Sequence, residues 1–544
     1  MTLFSSFFIS LLVSMLLVPM LVRVSARLGL VDIPDSRKVH VGAIPRSGGI
    51  AIVAGALVPL LIWWPDELLL RGVMLGALVI FVFGFMDDRK ELHFSWKFLG
   101  QILASIIVIA AGVRIEILPF LGIEPVSVWV SYPLTLLFIV GVTNAINLSD
   151  GLDGLAAGSS LIALTALAWM FYQNQSIPLA LVTLATLGGV CGFLRYNNHP
   201  AIIFMGDTGS QFLGFVTSVL AIVLTQKANT ALNPAILLLL LGVPILDTLT
   251  VMMWRIRTGR SPFKPDRNHF HHRLLDFGFY HHEAVSIIYV VQSAMVVGAY
   301  FLRFESDLIV MGAYGLMCAL ILIAFRLARV NEFLVHRPRL KSEGKFRASE
   351  LVRLYPRLPD FATRMTEALA TLLMLGAALY PAEVLPKFAQ ACAGLAGVGI
   401  AVRFIPGVAR AFFIRLITYV TGVVLVFALI GQPGFAFAGQ EVVNASFLLV
   451  GASLLVCIQL TDREHFRSTP LDYLVMIFVL VIVIRSQLQA ENLTAAPLAD
   501  TAIRLAVVFY ASEFLCRRQR VERAFLPIAS IAALALLAVR GLAF

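Results

Sequence analysis

The chain has 544 residues, 59% of them hydrophobic and only 14% charged, with a mean hydropathy of +0.89. Soluble domains carry about 25% charged residues, so these values exclude one and make lipid the solvent for most of the chain. The formal net charge of +10 lies in short basic blocks between apolar runs, which argues against a nucleic-acid-binding face and fits membrane topology plus anionic lipid and substrate.

A helix needs ~20 apolar residues to cross a bilayer. By that ruler spans are predicted at 2–22, 48–64, 70–86, 98–115, 130–146, 154–172, 178–194, 210–226, 234–254, 285–302 and 308–326. The first run, Thr2 to Val22, has no basic residue before it and no small-residue cleavage site after it, and Arg23 and Arg27 follow. It reads as a retained helix with its N-terminus outside, not as a signal peptide. The odd-numbered loops then fall inside and hold the basic residues, among them Arg37, Lys38, Arg46, Arg89, Lys90, Lys97, Arg255, Arg257, Arg260 and Arg273, as the positive-inside rule requires. From Arg329 to Arg364 runs a basic stretch too polar to enter a membrane. It divides the chain into a first membrane domain, 1–328, a basic cytoplasmic linker, 329–366, and a second membrane domain, 367–544, with apolar runs near 367–382, 387–402, 414–431, 443–460, 470–485, 501–515 and 525–540. The expected fold class is all-α and polytopic, with about 11 transmembrane helices in the first half and about 7 in the second. The five cysteines, Cys191, Cys318, Cys392, Cys457 and Cys516, show no paired or metal-ligand spacing and read as packing residues.

The polar loops carry the chemistry. The first, VDIPDSRKVHVGAIPRSGGIAI, supplies Lys38, His40 and Arg46 before a glycine hinge; it reads as a phosphate-holding helix start or, taken alone, as a plain positive-inside turn. In GFMDDRKEL, Asp87 and Asp88 are adjacent at the end of the third span. Such carboxylates repel unless a cation or a proton sits between them, or else they simply mark the membrane edge. Lys97 is either a topology signal or a partner for an anionic head group. The segment VTNAINLSDGLDGLAAG sets Asn144, Asn147, Asp150 and Asp153 at intervals of three, hard oxygens of the kind that suit Mg²⁺. Its Gly151 and Gly154 permit close backbone approach to a phosphate or nucleotide. The alternative, turn and cap chemistry, leaves four polar groups beside lipid without a purpose.

In FMGDTGSQFLG, Asp207 stands between glycines at the start of the eighth span, followed by Thr208 and Ser210. Ser210 reads as a helix cap, whereas a glycine-flanked acid there combines a metal ligand with N–H groups aimed at anions. The longest loop mixes Arg and Lys with His269, His271 and His272; without a cysteine or an acid at ligand spacing they are weak for zinc and better suited to phosphate or sugar hydroxyls. Asp247, inside the ninth span, either pairs with an Arg or supports the site from behind. Five polar loops on one face imply phosphoryl chemistry on a membrane-embedded acceptor. A transporter would instead place its ionisable groups at mid-span.

Together GFMDDRKEL, NAINLSDGLDGLA, FMGDTGS and NHFHHRL resemble the signature loops of the polyprenyl-phosphate N-acetylhexosamine-1-phosphate transferases, glycosyltransferase family 4, over residues 1 to about 330. RSPFKPDRNHFHHRL and RKVHVGAIPRSGG look more like its WecA-type branch, which acts on UDP-GlcNAc and undecaprenyl phosphate, than like the muramoyl-pentapeptide branch. The resemblance implies a multi-pass enzyme of the bacterial inner membrane with its active site on the cytoplasmic face, starting a lipid-linked glycan for surface polysaccharide such as O-antigen. It implies Mg²⁺, with Mn²⁺ as a substitute, on Asp207 and Asn147, and Asp87 and Asp88 as catalytic groups that position or deprotonate the lipid phosphate. Asp150, Gly151 and Asp153 would bind nucleotide, Lys97, Lys38, Arg46 and Arg273 the lipid phosphate or diphosphate, and His269, His271 and His272 the sugar or diphosphate. The implied partners are the UDP-sugar, undecaprenyl phosphate, membrane lipids and a second copy in a homodimer, with no nucleic acid. Another UDP-N-acetyl sugar or UDP-MurNAc-pentapeptide remains an alternative donor. Val41 departs from the basic residue that relatives often carry there. Nothing beyond residue 330 is covered, and that half reads either as a module that handles the lipid-linked product or as a scaffold for later glycosyltransferases.

Overall fold

A computed structural model describes residues 2–32, 43–63, 67–122, 124–261, 268–331, 333–335, 355, 357–379, 384, 386–404, 408–429, 440–460, 496–518 and 525–542. In hydrocarbon a chain must satisfy its own backbone polar groups, which leaves the helix as the way to span. The apolar runs accordingly become helices: α1 (Thr2–Leu28), α2 (Gly48–Ile62), α3 (Leu68–Lys90), α4 (Phe94–Ala110), α5 (Val128–Leu148), α6 (Leu155–Gln173), α7 (Ile177–Asn197), α8 (Gly206–Val223), α9 (Ile236–Leu240), α10 (Gly242–Arg257), α11 (Phe270–Asp276), α12 (His281–Phe301) and α13 (Asp307–Val330). Among the described residues nine helices are long and apolar enough to cross a membrane, and all but Phe525–Leu542 belong to this set. The all-α expectation holds, apart from a two-residue antiparallel ladder, β1 (Val31–Asp32) with β2 (Ile44–Pro45), that closes the first loop.

The predicted span at 234–254 is not one helix. It breaks between α9 and α10 at Leu241, whose φ is −112°, because Pro244 lacks an N–H and is tolerated only in the first turn of a helix. The polar groups freed by the break are met from α12, where the Gln292 amide donates to the Leu240 carbonyl at 2.7 Å and its oxygen accepts from the Val243 N–H at 3.1 Å.

Within this unit, which spans Met1–Arg339, α8 is buried along its whole apolar stretch and is surrounded by α2, α3, α5 and α6. Its far end widens into one π-helical turn, Leu224–Ala228. α1 lies along α7 on a seam of small residues, a common device for close helix approach in lipid. Ser10 and Ser14 donate to the carbonyls of Ala185 and Gly189 at 2.5 and 2.8 Å. Between them Gly188 sits so close to α1 that a Cβ there would lie 2.3 Å from the Phe7 carbonyl oxygen.

Beyond Leu340 a second compact unit contains α14 (Leu358–Leu379), α15 (Pro386–Val402), α16 (Val408–Ala428), α17 (Gln440–Leu460), α18 (Ala496–Arg518) and α19 (Phe525–Leu542). Its core includes Ala370, Met374, Leu425, Phe514 and Leu537. α14 takes in residues 358–366, read above as linker; most of that linker and the predicted span at 470–485 lie outside the described residues.

Overpacking the α1–α7 seam gives the first test. Gly188→Leu is expected to destabilise the protein by about 1–3 kcal/mol, seen as a lower thermal unfolding midpoint in detergent; an unchanged midpoint would mean that the seam accommodates bulk.

Candidate active site

The loops between α1 and α2, α3 and α4, α5 and α6, α7 and α8, and α10 and α12 meet at one end of the first unit, and their contacts start at α8. The first N–H groups of a helix have no partner within it, and Met205, the residue at the N-cap of α8, offers no side-chain bond. The partner comes from α3. Asp88, 7% exposed, accepts the Asp207 N–H at 2.8 Å on one oxygen and, on the other, the Thr208 N–H at 2.9 Å together with the Thr208 hydroxyl. A carboxylate at that position also meets the positive end of the helix dipole. Gly206 makes the turn possible: its φ is +69°, and a Cβ would lie 2.6 Å from both Asp88 oxygens and from the Arg46 carbonyl oxygen.

The first loop docks on the same turn through its backbone. Gly48 and Gly49 donate N–H groups to the carbonyls of Phe204 and Met205 at 2.9 and 2.8 Å, and Phe204 donates to Pro45 at 2.7 Å. PRSGG therefore serves as an edge for FMGD. The Arg46 guanidinium is ion-paired with Asp32. Lys38 lies outside the described residues.

Around Asp207 the polar side chains converge. Lys97 at the start of α4 lies 3.0 Å from one Asp207 oxygen and is ion-paired with Asp87. Asp87, 2% exposed, also accepts the Leu92 N–H at 2.7 Å. Asn147 at the end of α5 donates its amide to the other Asp207 oxygen and to Ser210 Oγ, the latter at 2.7 Å. Its nitrogen is thus spent on the protein, and the atom Asn147 has for a cation is its oxygen. Asp150, in the turn after α5, has its carboxyl pushed up to about 8 by burial and by the charges of Asp207, Asp88 and Asp153. Acids that hold each other's protons this way, with Lys97 as the cation between Asp87 and Asp207, form a donor set fit for a hard divalent ion.

A second group lies at the other end of the DGLDG turn. Asp153 accepts from His199 Nδ1 at 2.7 Å and from the Ala201 N–H at 3.1 Å. Burial would raise its carboxyl, but His199, the charge of His281 and the Ala201 N–H together hold it below the usual carboxylate range. His199 and His281 stack with ring centroids 4.1 Å apart and planes 17° apart. Although Asp153, His199 and His281 offer ligand atoms within 4.8 Å of one another, lone pairs of nearly parallel rings do not converge on one ion. Asn197 ties this loop to the turn, accepting from the Gly154 N–H at 2.9 Å and donating to the Ile203 carbonyl at 2.8 Å, and the Tyr289 hydroxyl donates to the Gly154 carbonyl at 2.6 Å.

The histidine loop folds over the same turn. Asp247 holds its start, bonding His269 Nδ1 at 2.9 Å and accepting the Phe270 N–H at 2.8 Å, so its partner is a histidine. His271 is buried, its Nε2 without a hydrogen-bond partner among the described residues and aimed at Gly151, where a Cβ would lie 2.2 Å from that nitrogen. Burial and the charges of His272, His269 and His281 hold it well below the usual imidazole range, so it is neutral. Arg273 lies 5.9 Å over the Phe325 ring. Sequence reading missed His199, His281, Asn197 and Tyr289; each is polar and belongs to a predicted loop or helix end, but no spacing marked them.

Gly206 and Gly29 test the α8 turn against each other. Both are left-handed, at φ +69° and +71°, but a Cβ on Gly29 would meet nothing within 4 Å. Gly29→Ala is expected to cost about 1–2 kcal/mol of backbone strain, and Gly206→Ala distinctly more, read as thermal midpoints; equal shifts would show that the turn relaxes.

Residues 70–225 match the family description Glycosyl transferase family 4. The chain is 39% identical over 303 residues to a Bacillus subtilis protein named a probable undecaprenyl-phosphate N-acetylglucosaminyl 1-phosphate transferase, covering 55% of this chain and 84% of the relative. It is 37% identical to the decaprenyl-phosphate N-acetylglucosaminephosphotransferase of Mycolicibacterium smegmatis, over 51% and 77% of the two chains. To the undecaprenyl-phosphate alpha-N-acetylglucosaminyl 1-phosphate transferase of Yersinia pestis it is 32% identical, over 49% and 75%. The matched region takes in Asp87, Asp88, Lys97, Asn147, Asp150 and Asp207, and with these relatives aligned over most of their own lengths the chain belongs to glycosyl transferase family 4.

Proposed function

We propose that the chain transfers N-acetylglucosamine 1-phosphate from UDP-GlcNAc to undecaprenyl phosphate and releases UMP, at the cytoplasmic face of a bacterial inner membrane. The observation that carries this reading is Asp207 at the capped start of α8, flanked by Lys97 and Asn147 at the end of a lipid-embedded bundle. The relatives' names support the sugar and the class of acceptor.

Asp207 and the Asn147 oxygen fit Mg²⁺. When bound, the ion supplies charge neutralisation and a template for diphosphate oxygens. Asp88 has both oxygens committed to α8 and acts through Asp207, so it is a positioning residue. Asp87 and Lys97 are paired beside it and are assigned to the acceptor. A phosphate monoester is largely ionised near neutral pH, so this pair aligns and neutralises it with little need for a base. Its oxygen attacks the phosphorus that bears the sugar, the bond to the bridging oxygen breaks, and UMP leaves with the electron pair. Asp150 and Asp153 flank the nucleotide, and the neutral His271 offers Nε2 to the sugar or diphosphate.

Purified protein with Mg²⁺, undecaprenyl phosphate and radiolabelled UDP-GlcNAc is expected to form a lipid-linked sugar and UMP. A panel of donors, UDP-MurNAc-pentapeptide included, fixes the sugar, and no turnover with any UDP-N-acetyl sugar sinks the assignment. Asp207→Asn should lower turnover by about 10²–10³-fold and flatten its dependence on Mg²⁺.

The pH dependence has a definite sign. Asp150 titrates at about 8 against about 3.9 in an unfolded chain, so between those values folding takes up a proton and stability falls as pH rises. A cation reverses that loss by competing with the proton. Raising pH from about 7 to about 9 should therefore lower the Mg²⁺ concentration needed for half-maximal turnover, and Asp150→Asn should reduce that change. Equal steepness in both proteins would take Asp150 out of the site.

A further inference from the structure

One turn into the membrane from Lys97, Asn147 and Asp207 lies a layer of three interlocked carboxamides. The Asn144 amide donates to the Gln101 oxygen at 2.6 Å, the Gln101 amide donates to the Asn144 oxygen at 3.4 Å, and it also donates to the Gln211 oxygen at 3.1 Å. Asn144 further donates to the Val140 carbonyl at 2.8 Å. Gln101 and Gln211 are each 2% exposed. The partners lie 43 and 110 residues apart in sequence, so the contacts are tertiary.

We infer that Gln101, Asn144 and Gln211 are positioning residues that set the spacing of Lys97, Asn147 and Asp207; this rests on the function proposed above. Residues three or four apart on a helix lie on one face, one above the other. Gln101 is four residues from Lys97 on α4, Asn144 is three from Asn147 on α5, and Gln211 is four from Asp207 on α8. Each helix that carries one member of the Lys97–Asp207–Asn147 group thus carries one member of the carboxamide layer directly behind it. A bond between two side chains fixes both the rotation and the depth of the two helices that bear them. The serines that join α1 to α7 bond backbone carbonyls repeated at every turn, and they leave depth less defined. Carboxamides are also neutral, so they hold three helices together without adding charge beside the acids, and the oxygen and both N–H groups of Gln101 are used in doing so.

Three variants separate positioning from plain stability: Gln101→Met, the triple Gln101→Met/Asn144→Leu/Gln211→Met, and the exchange Gln101→Asn/Asn144→Gln. Each is read by kcat, by KM for UDP-GlcNAc, and by the Mg²⁺ or Mn²⁺ concentration that half-maximally raises the thermal midpoint, a readout that needs no turnover. Gln101→Met leaves its partners unsatisfied and should lower the midpoint, cut kcat at least ~10-fold with KM within ~2-fold, and raise the half-stabilising cation concentration. The triple replaces all three amides with apolar groups of similar volume and should recover the midpoint, while kcat and cation concentration stay impaired. The exchange keeps an amide pair and should recover part of both. If the triple regains kcat and cation response along with stability, or if the exchange is as impaired as Gln101→Met, the layer is structural and the inference fails. A wild type that is stabilised by the cation but turns over no donor refutes the proposed function instead, and the cation readout still decides the role of the layer.

Discussion

The interaction on which the site depends is the bond between Asp88 on α3 and the first turn of α8. A helix start leaves N–H groups without partners, and inside a packed bundle, where Thr208 is 1% exposed, another part of the chain has to meet them. Asp88 meets two of them and the Thr208 hydroxyl, and so fixes where Asp207 stands relative to the end of α3. The neighbouring acid, Asp87, points the other way, to Leu92 and Lys97. Two adjacent and chemically identical residues thereby take different duties, because consecutive side chains on a helix are turned about 100° from each other.

The same need to satisfy polar groups in an apolar solvent shapes the rest of the unit. Where Pro244 breaks a span, Gln292 takes up the freed carbonyl and N–H. At the far end Gln226 accepts the Glu116 and Ile117 N–H groups at 2.9 and 2.8 Å. Three carboxamides bond one another behind the acids, and serines on α1 use the carbonyls of α7. In water each of these pairings would be a minor gain; in hydrocarbon the alternative is an unpaired dipole, so they decide which helices can be neighbours.

Much of the site was legible because loop chemistry is local. Asp207 between glycines, the NxxN spacing of Asn144 and Asn147, and the DGLDG turn each announce a polar purpose beside lipid, and the positive-inside pattern puts them on one face. Other assignments depended on partners that no spacing reveals. PRSGG, with its arginine, has the look of an anion site, yet its backbone docks on FMGD while Arg46 pairs with Asp32. Asp247 has two readings, a pair with an Arg or support from behind the site, and its bond to His269 fits the second. Gln101 and Gln211 drew no attention, because a single glutamine in an apolar run has no periodic signature.

By itself the sequence determined the class of solvent, the apolar runs that become most helices of the first half and their order, the end of the bundle at which the polar loops gather, and the family. These follow from hydropathy and from motifs read over a few consecutive residues. Tertiary structure alone decided which acid caps α8 and which is left to Lys97, which histidine lies against Gly151, and that three amides are stacked behind three site residues. Those facts concern side chains from helices 43 to 120 residues apart, and only packing of the whole bundle sets the rotation and depth at which such helices meet.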